Sequence, residues 1–217
     1  MLFIFDWDGT ISDSTGKIVD CLQRAATDIG LPTLAAEAAL DIIGLGLPEA
    51  FQRLFPDADS EQYDRLKDTY SQYFVAADQT PSAFFPGVMD TLEKLQVEGH
   101  QLAVATGKSR RGLDRVFRNL QLQNFFHSSR CADETASKPH PQMLYELLAE
   151  CGASKESTVM VGDTEYDMEM ALKAQVPRIA VSYGAHHIDR LRTYKPTLCI
   201  DSFSELLFWQ ESYHGQK

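Results

Sequence analysis

The chain has 217 residues, 44% of them hydrophobic and 24% charged, which suits one medium domain with a modest insertion and a real apolar core. Its formal net charge of -11 repels nucleic acid, anionic membrane surfaces and small phosphorylated molecules alike. Any anion site must then be local, built from backbone N–H groups, one or two cations and a bound metal. Four widely spaced cysteines (Cys21, Cys131, Cys151, Cys199) form no CxxC pair and have no His at zinc spacing, so they read as free thiols. No apolar run approaches the roughly 20 residues of a membrane span. The apolar start at Leu2 runs straight into acidic residues, unlike a signal peptide. The expectation is a cytoplasmic protein.

Leu2-Phe3-Ile4-Phe5 is a continuous apolar run that halts at Asp6, the pattern of a strand buried on both faces. From about Thr15 to Gln79 the pattern turns helical. Val19, Leu22, Ala26 and Ile29 share one face, as do Tyr63, Leu66, Tyr70 and Phe74. Asp13-Ser14 are expected at the exit into this stretch, as a hinge and as the N-cap of its first helix. Residues 42 to 48 (IIGLGLP) read as a glycine-punctuated apolar turn between helices. The return runs through Pro81 and Phe85-Pro86-Gly87, with Phe84 and Phe85 read as core. Beyond it, apolar runs at Gln101 to Ala105, Ser157 to Val161 and Arg178 to Val181, and a weaker one at Thr197 to Ile200, predict strands. Helical patterns cover Val88 to Val97, Arg110 to Leu120, Pro141 to Glu150 and Tyr166 to Lys173.

Strands alternating with helices of this length imply βαβ units and a doubly wound parallel sheet. The helical stretch after the first strand is too long for a crossover. The prediction is therefore an α/β fold with a Rossmann-like core, residues 1–14 and 82–217, and an inserted α-helical cap, residues 15–81.

Open α/β sheets bind ligands outside the carboxyl ends of their strands. There the sequence offers Asp6-Trp7-Asp8-Gly9-Thr10, then Thr106-Gly107-Lys108, then Gly162-Asp163-Thr164 with Asp167 beyond, and Ser137-Lys138-Pro139 ahead of a helix. Taken singly, each has a plain structural reading: a turn Asp, a strand-end Thr, a surface Lys, an acidic helix start. Together they set a carboxylate cluster, a hydroxyl with a Gly turn and a lysine at one rim.

In this order the motifs DWDGT (6–10), ATGK (105–108), SKPHP (137–141) and GDTEYD (162–167) resemble the haloacid dehalogenase superfamily. The likeness covers essentially the whole chain and is greatest to the phosphatase branch with a helical cap, phosphoglycolate phosphatases above all. It implies a phosphoric monoester hydrolase that uses Mg²⁺ and an aspartyl-phosphate intermediate. A carboxylate nucleophile splits hydrolysis of a slow phosphate ester into two easier steps, and Asp6 is the expected nucleophile. Mg²⁺ prefers a few hard oxygen ligands; Asp6 and Asp163 are expected to supply carboxylates, and the resemblance assigns Asp8 a backbone carbonyl. Asp167 would orient a metal-bound water or the lysine. The Asp8 carboxyl would serve as general acid and then base, under a closing cap. Thr106 and the Gly107 N–H would bind phosphoryl oxygens, with Lys138 as the cation.

By the same resemblance, the 42–48 turn would face the active site and help select a small phosphorylated metabolite, phosphoglycolate or a sugar phosphate. Arg110, Arg111 and Lys108 receive no role; pairing with Asp114 or Asp133 is expected for the arginines. His186 and His187 read as rim or helix-start residues. A phosphomutase on the same core, and more remotely a phospho-receiver domain, are the alternatives, and a monomer or homodimer is expected.

Overall fold

The structure, a computed structural model, describes residues 1–209. Six parallel strands form the sheet: β1 (Leu2–Phe5), β2 (Gln101–Thr106), β3 (Ser128–Cys131), β4 (Thr158–Gly162), β5 (Arg178–Val181) and β6 (Leu198–Ile200), in the order β3-β2-β1-β4-β5-β6. The order reverses beside β1, where a crevice opens at the strand ends. Register sets the level of that crevice. Phe5 lies opposite Val104 and Val161, so Asp6, Thr106 and Asp163 all emerge at one edge.

Period-two alternation divides the strands between two apolar layers. Phe3, Phe5, Val104, Val159 and Ile179 face one side, where α5 (Val88–Val97) and α6 (Arg110–Asn119) pack. Leu2, Ile4, Ala103 and Met160 face the other, against α7 (Gln142–Cys151) and α8 (Glu165–Ala174). Between β1 and α5 lie four helices outside the sheet: α1 (Thr15–Asp28), α2 (Ala36–Asp41), α3 (Leu47–Leu54) and α4 (Ser60–Ala77). They bury a core of their own that includes Val19, Leu22, Phe51 and Leu66. The fold is a doubly wound parallel sheet with a helical cap.

Of three local features, two depart from expectation and one agrees with it. β3 was not foreseen, because Ser-Ser-Arg-Cys has no apolar run; it is an edge strand paired only with β2. A short helix, α9 (Ile188–Arg192), follows β5, and His187 is its N-cap, in keeping with the helix-start reading. Ser14 does occupy the N-cap of α1, but its hydroxyl makes no capping bond. It donates instead to Asp8 Oδ1 at 2.6 Å, so a residue expected to start the cap belongs to the rim of the crevice.

Candidate active site

Each acidic group is set by a short local device. Asp6 is the first residue beyond β1, and its backbone N–H donates to the Val161 carbonyl at 2.9 Å. Asp163 follows β4 directly; its Oδ1 accepts from Thr10 Oγ1 and its Oδ2 from the Ala185 N–H, both at 2.8 Å. Asp167 lies in the first turn of α8. Its Oδ2 closes a capping box with Thr164, while its Oδ1 accepts from Lys138 Nζ at 2.6 Å. The lysine reaches the site from the loop before α7 and donates also to Asp6 Oδ1 at 2.7 Å. Lys138, Asp6, Asp163 and Asp167 are all essentially without solvent exposure.

Two glycines make room for this packing. Gly9 has φ +85°, and a Cβ there would lie 2.1 Å from Asp163 Oδ2. At Gly184 a Cβ would meet the Asp163 Cβ at 2.1 Å. Only glycine lets the backbone pass so close on both sides of one carboxylate.

The charges strain against burial. Burial raises the Asp6 pKa well above the usual carboxylate value, against the pull of Lys138, and the neighbouring Asp167 and Asp163 raise it further. Burial and then Asp167 push Asp163 up to about 7. For Lys138, burial alone would lower the pKa, but Asp167 and Asp6 outweigh it and raise the value. The cluster thus holds more negative charge than one lysine balances. Oxygens of Asp6, Asp163 and Asp167 lie within 4.8 Å of one another. Asp6 Oδ2 is buried with no hydrogen-bond partner among the described residues. An orphaned anionic oxygen beside two further carboxylates fits a hard divalent cation. Asp167, expected outside the direct ligands, has an oxygen within that reach, though both its oxygens already accept bonds.

Asp8 stands apart from this trio. Besides Ser14, its Oδ1 meets Lys108 Nζ at 2.9 Å. Lys108, to which no role was given, also lies 4.8 Å from the centre of the Phe74 ring on α4. Thr106 is fully buried, its hydroxyl accepting from the Lys108 N–H at 3.2 Å. Over Gly107 the cap comes down closely. A Cβ there would lie 2.5 Å from the Leu45 carbonyl oxygen and 2.7 Å from that of Gly44. The Gly46 N–H donates to Ser137 Oγ at 2.8 Å, so the 42–48 turn rests on the strand-end loops. Arg110 pairs with Glu134 at 2.8 Å and Asp114 at 3.3 Å, and its backbone N–H donates to Asp133. Reasoning from sequence missed Ser14, Thr10, Lys108 and Gly184. Thr10 and Lys108 stood inside quoted motifs and Ser14 was named only as a cap, whereas Gly184 carried no signal until the loops were assembled.

A family model for haloacid dehalogenase-like hydrolases matches residues 3–181, and the chain belongs to that family. It is 35% identical over 210 residues to a probable phosphatase, IndB, of Dickeya dadantii, covering 95% of this chain and 91% of that one. A phosphoglycolate phosphatase of Aliivibrio fischeri is 29% identical, with 95% and 94% covered. In fold, the chain is similar to a predicted phosphoglycolate phosphatase of Haemophilus somnus, with TM-score 0.87, 24% identity, and 96% and 97% covered. No helix among the described residues is long and apolar enough to cross a membrane.

Proposed function

We propose that this protein is a magnesium-dependent phosphatase of a small phosphate monoester, working through a phosphoryl group carried on Asp6. The observation that carries the reading is the buried, unpartnered Asp6 Oδ2 beside Asp163 and Asp167. Asp6 and Asp163 would hold the ion, with the Asp8 backbone carbonyl as a third ligand, and the site is as acidic as such an ion requires. When bound, Mg²⁺ supplies the positive charge that lets a carboxylate and a phosphate share one site.

The chain's own groups do the rest. A carboxylate oxygen of Asp6 attacks phosphorus, and Lys138, which donates to Asp6 Oδ1, offers a charge to the transferring phosphoryl group. Thr106 Oγ1 and the Gly107 N–H bind phosphoryl oxygens. Asp8 protonates the departing alkoxide and then takes a proton from the water that hydrolyses the acyl phosphate; Ser14 and Lys108 fix its carboxyl for both steps. Asp167 orients Lys138 through their 2.6 Å bond. Residues 15–81 act as the cap that excludes bulk water. The name of the Aliivibrio relative favours phosphoglycolate, with a sugar phosphate as the other candidate class, and four free cysteines suit a reducing cytoplasm.

The test is release of inorganic phosphate from a panel of phosphorylated metabolites, with Mg²⁺ and with a chelator. Metal-dependent release from at least one ester is expected. No release from any ester would contradict hydrolysis, and an isomerised product without free phosphate would mean a mutase.

A further inference from the structure

A cavity of about 650 Å³ lies between α4 and the turn of residues 42–48 on one side and the start of α6 on the other. Asp8, Gly107 and Lys108 form its inner end, which is where a leaving group would depart if phosphorus sits at Asp6. Its walls are largely apolar: Ile43, Leu45, Leu47, Phe74 and Val75 contribute. That size falls within the roughly 300–1,000 Å³ of pockets that enclose a drug-sized molecule. Glycolate would leave most of this wall wet, and its carboxylate would meet apolar surface without a buried partner, an unfavourable exchange.

The cations nearby do not build a buried anion site. Lys108 is paired with Asp8 at 2.9 Å and Arg115 with Asp78 at 3.1 Å, while Arg111 is exposed to solvent. What the cavity does offer is aromatic surface with a polar handle at Tyr70. The Tyr70 and Phe74 rings lie 5.7 Å apart at 34°, and Lys108 caps the Phe74 ring. The Tyr70 hydroxyl has no hydrogen-bond partner among the described residues. Burial raises its pKa first and the charge of Asp8 next, so it remains a protonated donor close to the proposed acid.

We propose that this cavity receives the leaving group of the substrate, and that the preferred leaving group carries a ring with an apolar face rather than a short acid such as glycolate. The ring packs on Phe74 and the aliphatic wall, and a polar substituent accepts from Tyr70. This inference rests on the phosphatase reading and narrows its substrate class.

Benzyl phosphate, ethyl phosphate and phosphoglycolate are all esters of primary alcohols, so comparing their kcat/KM isolates what the leaving group gains from the cavity. Benzyl phosphate is expected to lead ethyl phosphate about tenfold or more, and to lead phosphoglycolate as well. Val75 is 46% exposed on the wall of the cavity. Val75→Trp therefore narrows the space without touching the core, and should lower the benzyl-to-ethyl ratio about fivefold or more. An unchanged or higher ratio in that variant, or phosphoglycolate as the best of the three, overturns the proposal while leaving the phosphatase reading intact. Failure of all three esters to release phosphate overturns both.

Discussion

The floor of the site and the seam between cap and core are held in opposite ways. At the floor, Lys138, Asp6 and Asp167 meet at 2.6–2.7 Å with essentially no solvent exposure, brought together from the loop before α7, the end of β1 and the first turn of α8. Along the seam the ion pairs keep partial access to solvent. Arg190 reaches Asp41 at 2.6 Å with both side chains partly exposed, and Arg115 reaches the largely buried Asp78 at 3.1 Å. Removing one partner of a buried pair costs about 3–5 kcal/mol, whereas an exposed pair is worth about 0–1 kcal/mol. A dry floor and a seam whose ion pairs still meet water suit a capped enzyme in which substrate must enter and water must leave.

Substitutions at the floor should therefore cost far more than substitutions at the seam. Asp6→Asn is expected to lower phosphate release by about 10³-fold or more while the circular dichroism spectrum stays native; substantial residual turnover would remove Asp6 as the nucleophile. Lys138→Met strands two buried carboxylates, and urea unfolding should register a loss of about 3–5 kcal/mol. Gly184→Ala should cost about 1–3 kcal/mol by overpacking against Asp163 and should weaken the Mg²⁺ response. Gly16→Ala is its control, since a Cβ in that α1 position meets nothing within 4 Å; the helix should be unharmed or slightly more stable.

Acidity sharpens the same contrast. Asp163 has a folded-state pKa raised from 3.8 to about 7, so between those values the folded protein binds more protons than the unfolded one. Without metal, stability should fall as pH rises through that window, by at most about 1.4 kcal/mol per pH unit from this group. Thermal melts in a chelator from pH 4 to 8 would check it, and a melting temperature that climbs over the window would contradict it. The smallest effect is expected at the seam. Arg115→Gln should shift KM a few-fold at most, less still at high salt.

How much of this was legible in the sequence follows the same division. Strand ends announce themselves, because an apolar run such as Leu2 to Phe5 must stop where polar groups begin, and parallel register then gathers those stops at one edge. Asp6, Thr106, Asp163 and Asp167 could be picked out in that way, and Lys138 through the motif around it. β3 was invisible because an edge strand needs no continuous apolar face; Ser129 and Arg130 serve it as well as valines would. Ser14 and Lys108 were misjudged for another reason. Each looked sufficient as a cap or a surface charge, and only the assembled loops show both turned onto Asp8. Tyr70 and Phe74 read correctly as one helix face, but periodicity does not say that the far end of that face borders a cavity rather than a core.

The central claim is most directly tested by rapid quench of the wild-type enzyme with a turned-over ester, followed by mass spectrometry of the peptide that contains Asp6. A transient phosphoryl group on Asp6, formed with Mg²⁺ and lost in chelator, is the expected result, with a larger amount in Asp8→Asn. Steady turnover with no phosphorylated enzyme, or a phosphoryl group on any other residue, would contradict the account.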